Sequence, residues 1–198
     1  MKKSTRTLLG TSAAAVLGAV LLLSSAGTLA FWSDTTTSAT QTISSGTLDL
    51  GTIGLENISS ATIKQCTTPT SCTTPVAYGG GAIVPGDVIA ATINVPVTLA
   101  GQNLKARFTV TPSKTAPSTA AADIALRDAV SITVKSVNGT AATGTPSNTT
   151  LTPSQVTGGT VPVVIEVSFP WGTTGQYNNA MGGNVSLGAV YTLTQIAG

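Results

Sequence analysis

The chain has 198 residues, of which only 8% are charged, against about a quarter in an ordinary soluble domain. Three of its cations, Lys2, Lys3 and Arg6, sit at the very start, so the formal +2 becomes 6 Lys and Arg against 7 Asp and Glu, or −1, beyond residue 30. That balance excludes a nucleic-acid surface, and the absence of histidine from the chain removes the usual general base, the HExxH zinc helix and the Ser-His-Asp triad together.

Met1 to Ala30 has the layout of a signal peptide. A basic head is followed by an apolar run, Leu8 to Leu23, and then by small residues with Thr28 and Ala30 at positions −3 and −1. Cleavage is expected between Ala30 and Phe31. The apolar run is interrupted by Gly10, Thr11, Ser12 and Gly18 and falls short of the ~20 strongly apolar residues of a stable span, so no membrane span is expected after cleavage. The remaining residues, 31–198, fit a single domain. Rich in Thr, Ser and Gly, they suit exposed β surfaces outside a cell, and low charge permits copies to associate.

The new N-terminus would be Phe31-Trp32, followed by Ser33, Asp34, Thr35 and further Thr and Ser to Thr42. Two large aromatics at a free end, in a strand-prone segment, call for a groove to bury them. Thr47-Leu-Asp-Leu50 reads as the first strand, and Gly51 to Gln65 as one or two short strands interrupted by Gly54 and Asn57. Cys66 and Cys72, the two cysteines, flank a turn-forming stretch. In an oxidising space a small local disulfide is the favoured reading, and no third or fourth soft ligand exists to build a zinc site.

Val84-Pro-Gly-Asp87 reads as a turn that starts a strand. Along Val88 to Val97, alternation places Ile89, Ala91, Ile93, Val95 and Val97 on one face, with Pro96 arguing for an edge or a bulge. Leu104 to Val110 alternates with Lys105, Arg107 and Thr109 outward. Ala120 to Asp128 has room for one or two helical turns, and Val130 to Val134 for a strand ended by Asn138-Gly139. Asn138 to Gly159 reads as a long surface excursion. Val161 to Phe169 carries the strongest inward stripe, Trp171 to Gly183 is a Gly- and Asn-rich loop, and Val185 to Ile196 is the last strand. About eight strands with almost no helix predict an all-β fold, an antiparallel sandwich or jelly roll.

No catalytic, cofactor-binding or metal site is expected. The seven carboxylates are scattered and form no Asp-x-Asp-x-Asp-Gly loop, although a calcium site assembled in space from Asp87, Asp123 or Asp128 stays open. The Gly79-Gly80-Gly81 and Gly182-Gly183 runs lack the lysine and helix of a phosphate loop.

The stretch AGTLAFWSDTTTSATQTISSGTLDL resembles the joined signal and first strand of the TasA and camelysin proteins, bacterial matrix proteins exported through a SipW-type signal peptidase. The likeness continues through Val84-Pro-Gly-Asp87 and the closing segment Tyr177 to Gln195. The Cys66–Cys72 pair, the Thr-rich composition and the shorter chain depart from the family pattern. The resemblance implies a secreted jelly-roll subunit, in the matrix or on the surface of a bacterium. Such a subunit polymerises head to tail by inserting its N-terminal strand, here Phe31 to Thr42, into the next copy. The rival expectations are a monomeric adhesin, an accessory subunit that caps or anchors a fibre, and a camelysin-type secreted metallopeptidase, against which the lack of histidine argues.

Overall fold

In the computed structural model, residues 45–51, 53, 58–68 and 70–197 are described. The expected signal peptide, the Ala30–Phe31 cleavage site and the segment 31–42, with Phe31, Trp32, Ser33, Asp34 and Thr35, lie outside them. The described strands are β1 Thr47–Leu50, β2 Ile58–Gln65, β3 Val76–Ala77, β4 Asp87–Ala100, β5 Lys105–Thr115, β6 Ser131–Val137, β7 Thr140–Ala141, β8 Ser147–Leu151, β9 Thr160–Ser168 and β10 Ser186–Ile196. One helix, α1 Ala121–Ala129, joins β5 to β6.

The fold is all-β, with every described strand pairing antiparallel. A seven-stranded sheet has the order β3-β2-β4-β9-β6-β7, and β1 pairs with β4 off that path; a three-stranded sheet has the order β10-β5-β8. β4 is the longest strand, at 14 residues, and at about 3.3 Å per residue it spans roughly 45 Å. Its Asp87 half pairs with β2 and its Ala100 half with β1, so β1 and β2 lie end to end along one side of it.

Alternation decides which face is buried. On β9, Val161, Val163, Ile165 and Val167 are buried while Thr160, Pro162, Val164, Glu166 and Ser168 are half-buried. On β5, Ala106, Phe108 and Val110 are fully buried and Lys105 and Arg107 point out. Val161, Val163 and Ile165 of β9 and the three buried side chains of β5, with Val95, Val97 and Leu151, form one core shared by both sheets. Phe108 stacks there on Tyr191 of β10, with ring centroids 6.1 Å apart. A second, smaller cluster at the Asp87 end joins Leu126 and Val130, on and just after α1, to Val167, Phe169 and Ala180.

Three expectations need correction. The described residues hold ten strands where about eight were expected. Asn138 to Gly159 is not a bare excursion, because it contains β7 and β8, and β8 extends the smaller sheet by pairing with β5. Pro96 marks neither an edge nor a bulge: β4 is central, and Pro96 stands opposite Thr160, the last register position with β9. Its carbonyl accepts from Gly51 N–H at 3.0 Å, so its missing N–H faces the same side, between the described end of the β2 ladder at Ile93 and the start of the β1 ladder at Val97. The irregular registers lie elsewhere, between Ile58 and Ser60 and between Val134 and Ser136.

Candidate binding groove

The strand directions set up an asymmetry between the two ends of the molecule. β4 runs from Asp87 down to Ala100, β5 runs back up, and β10, antiparallel to β5, runs down again with Ser186 opposite Thr115 and Ile196 opposite Lys105. Near the Ala100 end the space between the sheets is closed, because β1 lies against β10 and its Leu48 and Leu50 pack on the shared core. Near the Asp87 end no strand among the described residues takes the place of β1. A cavity of about 1560 Å³ opens there, between Ile89, Ala91 and Ile93 of β4 and the Leu187, Ala189 and Tyr191 side of β10.

Loops form the mouth. Tyr78 to Pro85 borders one side, and its geometry comes from the Pro85-Gly86 turn: Val84 N–H donates to the Asp87 carboxylate at 2.8 Å, and Asp87 N–H to the Val84 carbonyl at 3.0 Å. Gly86 has φ +98°, and a Cβ there would strike the Trp171 ring and stand 2.8 Å from the Cys66 carbonyl oxygen. Only glycine therefore lets the turn, the end of β2 and Trp171 meet. Backbone bonds complete the junction, from Cys66 N–H to Gly86 O and from Gly86 N–H to Phe169 O, both 2.7 Å. Cys66 and Cys72 face one another across the adjoining loop, with their sulfurs at bonding distance, 2.02 Å.

The other side of the mouth is the loop from Trp171 to Asn184. Tyr177 packs edge-on to Phe169, with centroids 4.9 Å apart. Asp123 of α1 fixes the far end of the loop, accepting from Ser118 Oγ at 2.6 Å and from Asn184 N–H at 2.7 Å. The first of these bonds, with the second, holds its carboxyl below the usual carboxylate range. Gly183 lies so close to the Ala122 carbonyl that a Cβ would clash with it.

What the groove offers is apolar surface and a strand edge that pairs with no other described strand. Of the eight large hydrophobic side chains exposed among the described residues, five line it: Ile58, Val84, Trp171, Met181 and Leu187. That concentration is what a binding surface shows, since singly scattered hydrophobics are ordinary. Among the described residues β10 pairs with β5 alone, leaving its other edge without a strand. Burial pushes the pKa of Tyr191, at the inner limit of the groove, above its ordinary value, so its hydroxyl stays neutral there at physiological pH.

The carboxylates singled out for calcium are not brought together. Asp87 caps its own turn, Asp123 serves the loop, and Asp128 pairs with Arg127 at 2.7 Å. Among the described residues no group of three or more Cys, Asp or Glu side chains is placed to hold a metal ion, and no helix is long and apolar enough to cross a membrane. Sequence reasoning misses the groove residues because a glycine run before a turn and a Gly- and Asn-rich loop carry no sign of the space they border. The available signal was Trp171 and Met181, two large apolar side chains inside a Gly- and Asn-rich stretch. Comparison with protein-family models, with curated proteins and with solved structures returned no match.

Proposed function

We propose that this chain is a secreted structural subunit of the TasA and camelysin type, with a jelly-roll domain, freed from its signal peptide at Ala30–Phe31 by a SipW-type peptidase. It polymerises into fibres of a bacterial matrix or cell surface when Phe31 to Thr42 of one copy enters the groove of the next. The observation that carries this reading is the groove itself, an apolar slot beside an edge of β10 that no described strand pairs with. An extended segment placed there gains main-chain hydrogen bonds from the edge and side-chain burial from the slot. The segment 31–42 supplies the matching chemistry, strand-prone and led by aromatics, and burying Phe31 alone contributes on the order of 2 kcal/mol.

A contact between a tail and a groove on different parts of the subunit is heterologous and does not close on itself, so it yields a filament. Electron microscopy of purified protein beginning at Phe31 tests the reading. Filaments that lengthen without any second component are expected, whereas particles that stay monomeric at high concentration contradict it and favour a capping or anchoring role.

A further inference from the structure

We infer that the rim of the groove carries a site for a neutral saccharide, with Trp171 as the platform on which a sugar ring stacks and Gln176, Tyr177 and Asn178 as the groups that bond its hydroxyls. All four side chains belong to the loop after β9 and line the mouth of the cavity. The inference does not rest on the fibre reading, which concerns the slot between β4 and β10.

Among the described aromatic side chains, Trp171 is the one that stands exposed, at 53%. It belongs to neither hydrophobic cluster, yet its position is fixed. The six-membered ring of the indole lies so close to Gly86 that a Cβ there would clash with it, and backbone bonds tie that turn to Cys66 and Phe169. Gly172, at φ +65°, turns the chain back at once: a Cβ on it would strike the Tyr177 ring and stand 2.9 Å from Gln176 Oε1. Trp171, Gln176 and Tyr177 are thereby gathered within one turn. Core packing does not account for a large aromatic held firmly at the surface. Its open ring surface suits the axial C–H groups of a pyranose, which meet the negative face of a π system.

The polar groups beside it are oriented and only partly used. Gln176 Oε1 accepts from Thr173 N–H at 2.8 Å and from Thr173 Oγ1 at 3.3 Å. That fixes the carboxamide and leaves its two N–H donors with one long contact among the described residues, 3.4 Å to the Tyr177 hydroxyl oxygen. The Tyr177 hydroxyl keeps its own hydrogen to donate, and the exposed Asn178 side chain makes no hydrogen bond among the described residues. An apolar wall with a few placed polar groups is the form that small-molecule sites take.

Charge selects the class of ligand. Residues 78–85 and 171–184 include no charged side chain. The two carboxylates beside the mouth are spent within the protein, Asp87 on Val84 N–H and Asp123 on Ser118 and Asn184. An ionic ligand would find no counter-charge there, whereas hydroxyl groups find both donors and acceptors. A proline-rich peptide, the other neutral partner of exposed aromatics, docks in a groove lined by several rings, and here a single ring is exposed.

Isothermal titration of the purified protein with two neutral hexasaccharides, cellohexaose and chitohexaose, tests this, with oligogalacturonate as the anionic control and a proline-rich peptide as the rival. At least one neutral hexasaccharide should bind, and neither control should. Trp171→Ala should weaken that binding by about tenfold, and Trp171→Phe should keep most of it. Asn178→Ala, at an exposed side chain, should weaken it about threefold with an unchanged melting temperature, so the test holds even where Trp171→Ala disturbs the Gly86 turn. Failure of both hexasaccharides to bind at millimolar concentration overturns the inference, as does binding of the proline-rich peptide in their place. Oligogalacturonate binding as well as the neutral sugars contradicts the ligand class, and full affinity in a folded Trp171→Ala or Asn178→Ala variant overturns that residue's place in the site. Filament formation is read separately, so its absence contradicts the fibre reading alone.

Discussion

Ser147 shows how a single side chain is read against its surroundings. Its hydroxyl is buried at the start of β8 and makes no hydrogen bond among the described residues. A buried hydroxyl left without a partner costs about 1–3 kcal/mol of desolvation. Ser147→Ala removes that cost while keeping the backbone register with Val110, so it should raise stability by about 1 kcal/mol. Urea denaturation of the mature protein checks this; a loss of stability would mean that the hydroxyl does have a partner. Gly86 is the reverse case, a position where the smallest side chain is the structural requirement, since its positive φ and its contact with Trp171 both forbid a Cβ.

Between elements, α1 and the loop ending at Asn184 are tied by the Asp123 carboxylate. Because its folded pKa is depressed, chiefly by Ser118 and then by Asn184 N–H, its contribution is present above the unfolded carboxylate pKa, about 3.9. It is lost as pH falls through the lower folded value. Asp123→Asn should therefore melt below the unsubstituted protein at pH 7, with the gap narrowing on acidification below about pH 4. A gap that stays constant from pH 7 to pH 2.5 contradicts the argument. The elements themselves were legible to different degrees. β9 and β5 could be read from alternation because their inward positions are large and apolar and their outward ones are not. β8 could not, since its inward residues Ser147 and Thr149 look like the loop around them, and only pairing with β5 marks it as a strand. Nor does alternation show that β4 and β5, joined by a short turn, belong to different sheets. The groove was out of reach for the same reason: it exists only once the sheets are assigned and β1 is seen to fill one end of the space between them.

At the scale of the whole molecule, low charge, a sheet edge that no described strand pairs with and an apolar slot act together. Each alone is a liability for solubility, since open edges and exposed apolar patches invite non-specific pairing. Their placement in one groove turns that liability into a specific contact if a strand of the right chemistry occupies it. The central claim is that the segment before β1 serves the next copy and contributes nothing to its own domain's core. Deleting Phe31 to Ala39 tests it most directly, with assembly followed by light scattering and fold by circular dichroism. The account predicts a soluble, β-rich monomer that cannot lengthen, and that binds a synthetic peptide of residues 31–43 in place of a neighbour. A truncated protein that still forms ordinary filaments, or that fails to fold, would contradict it.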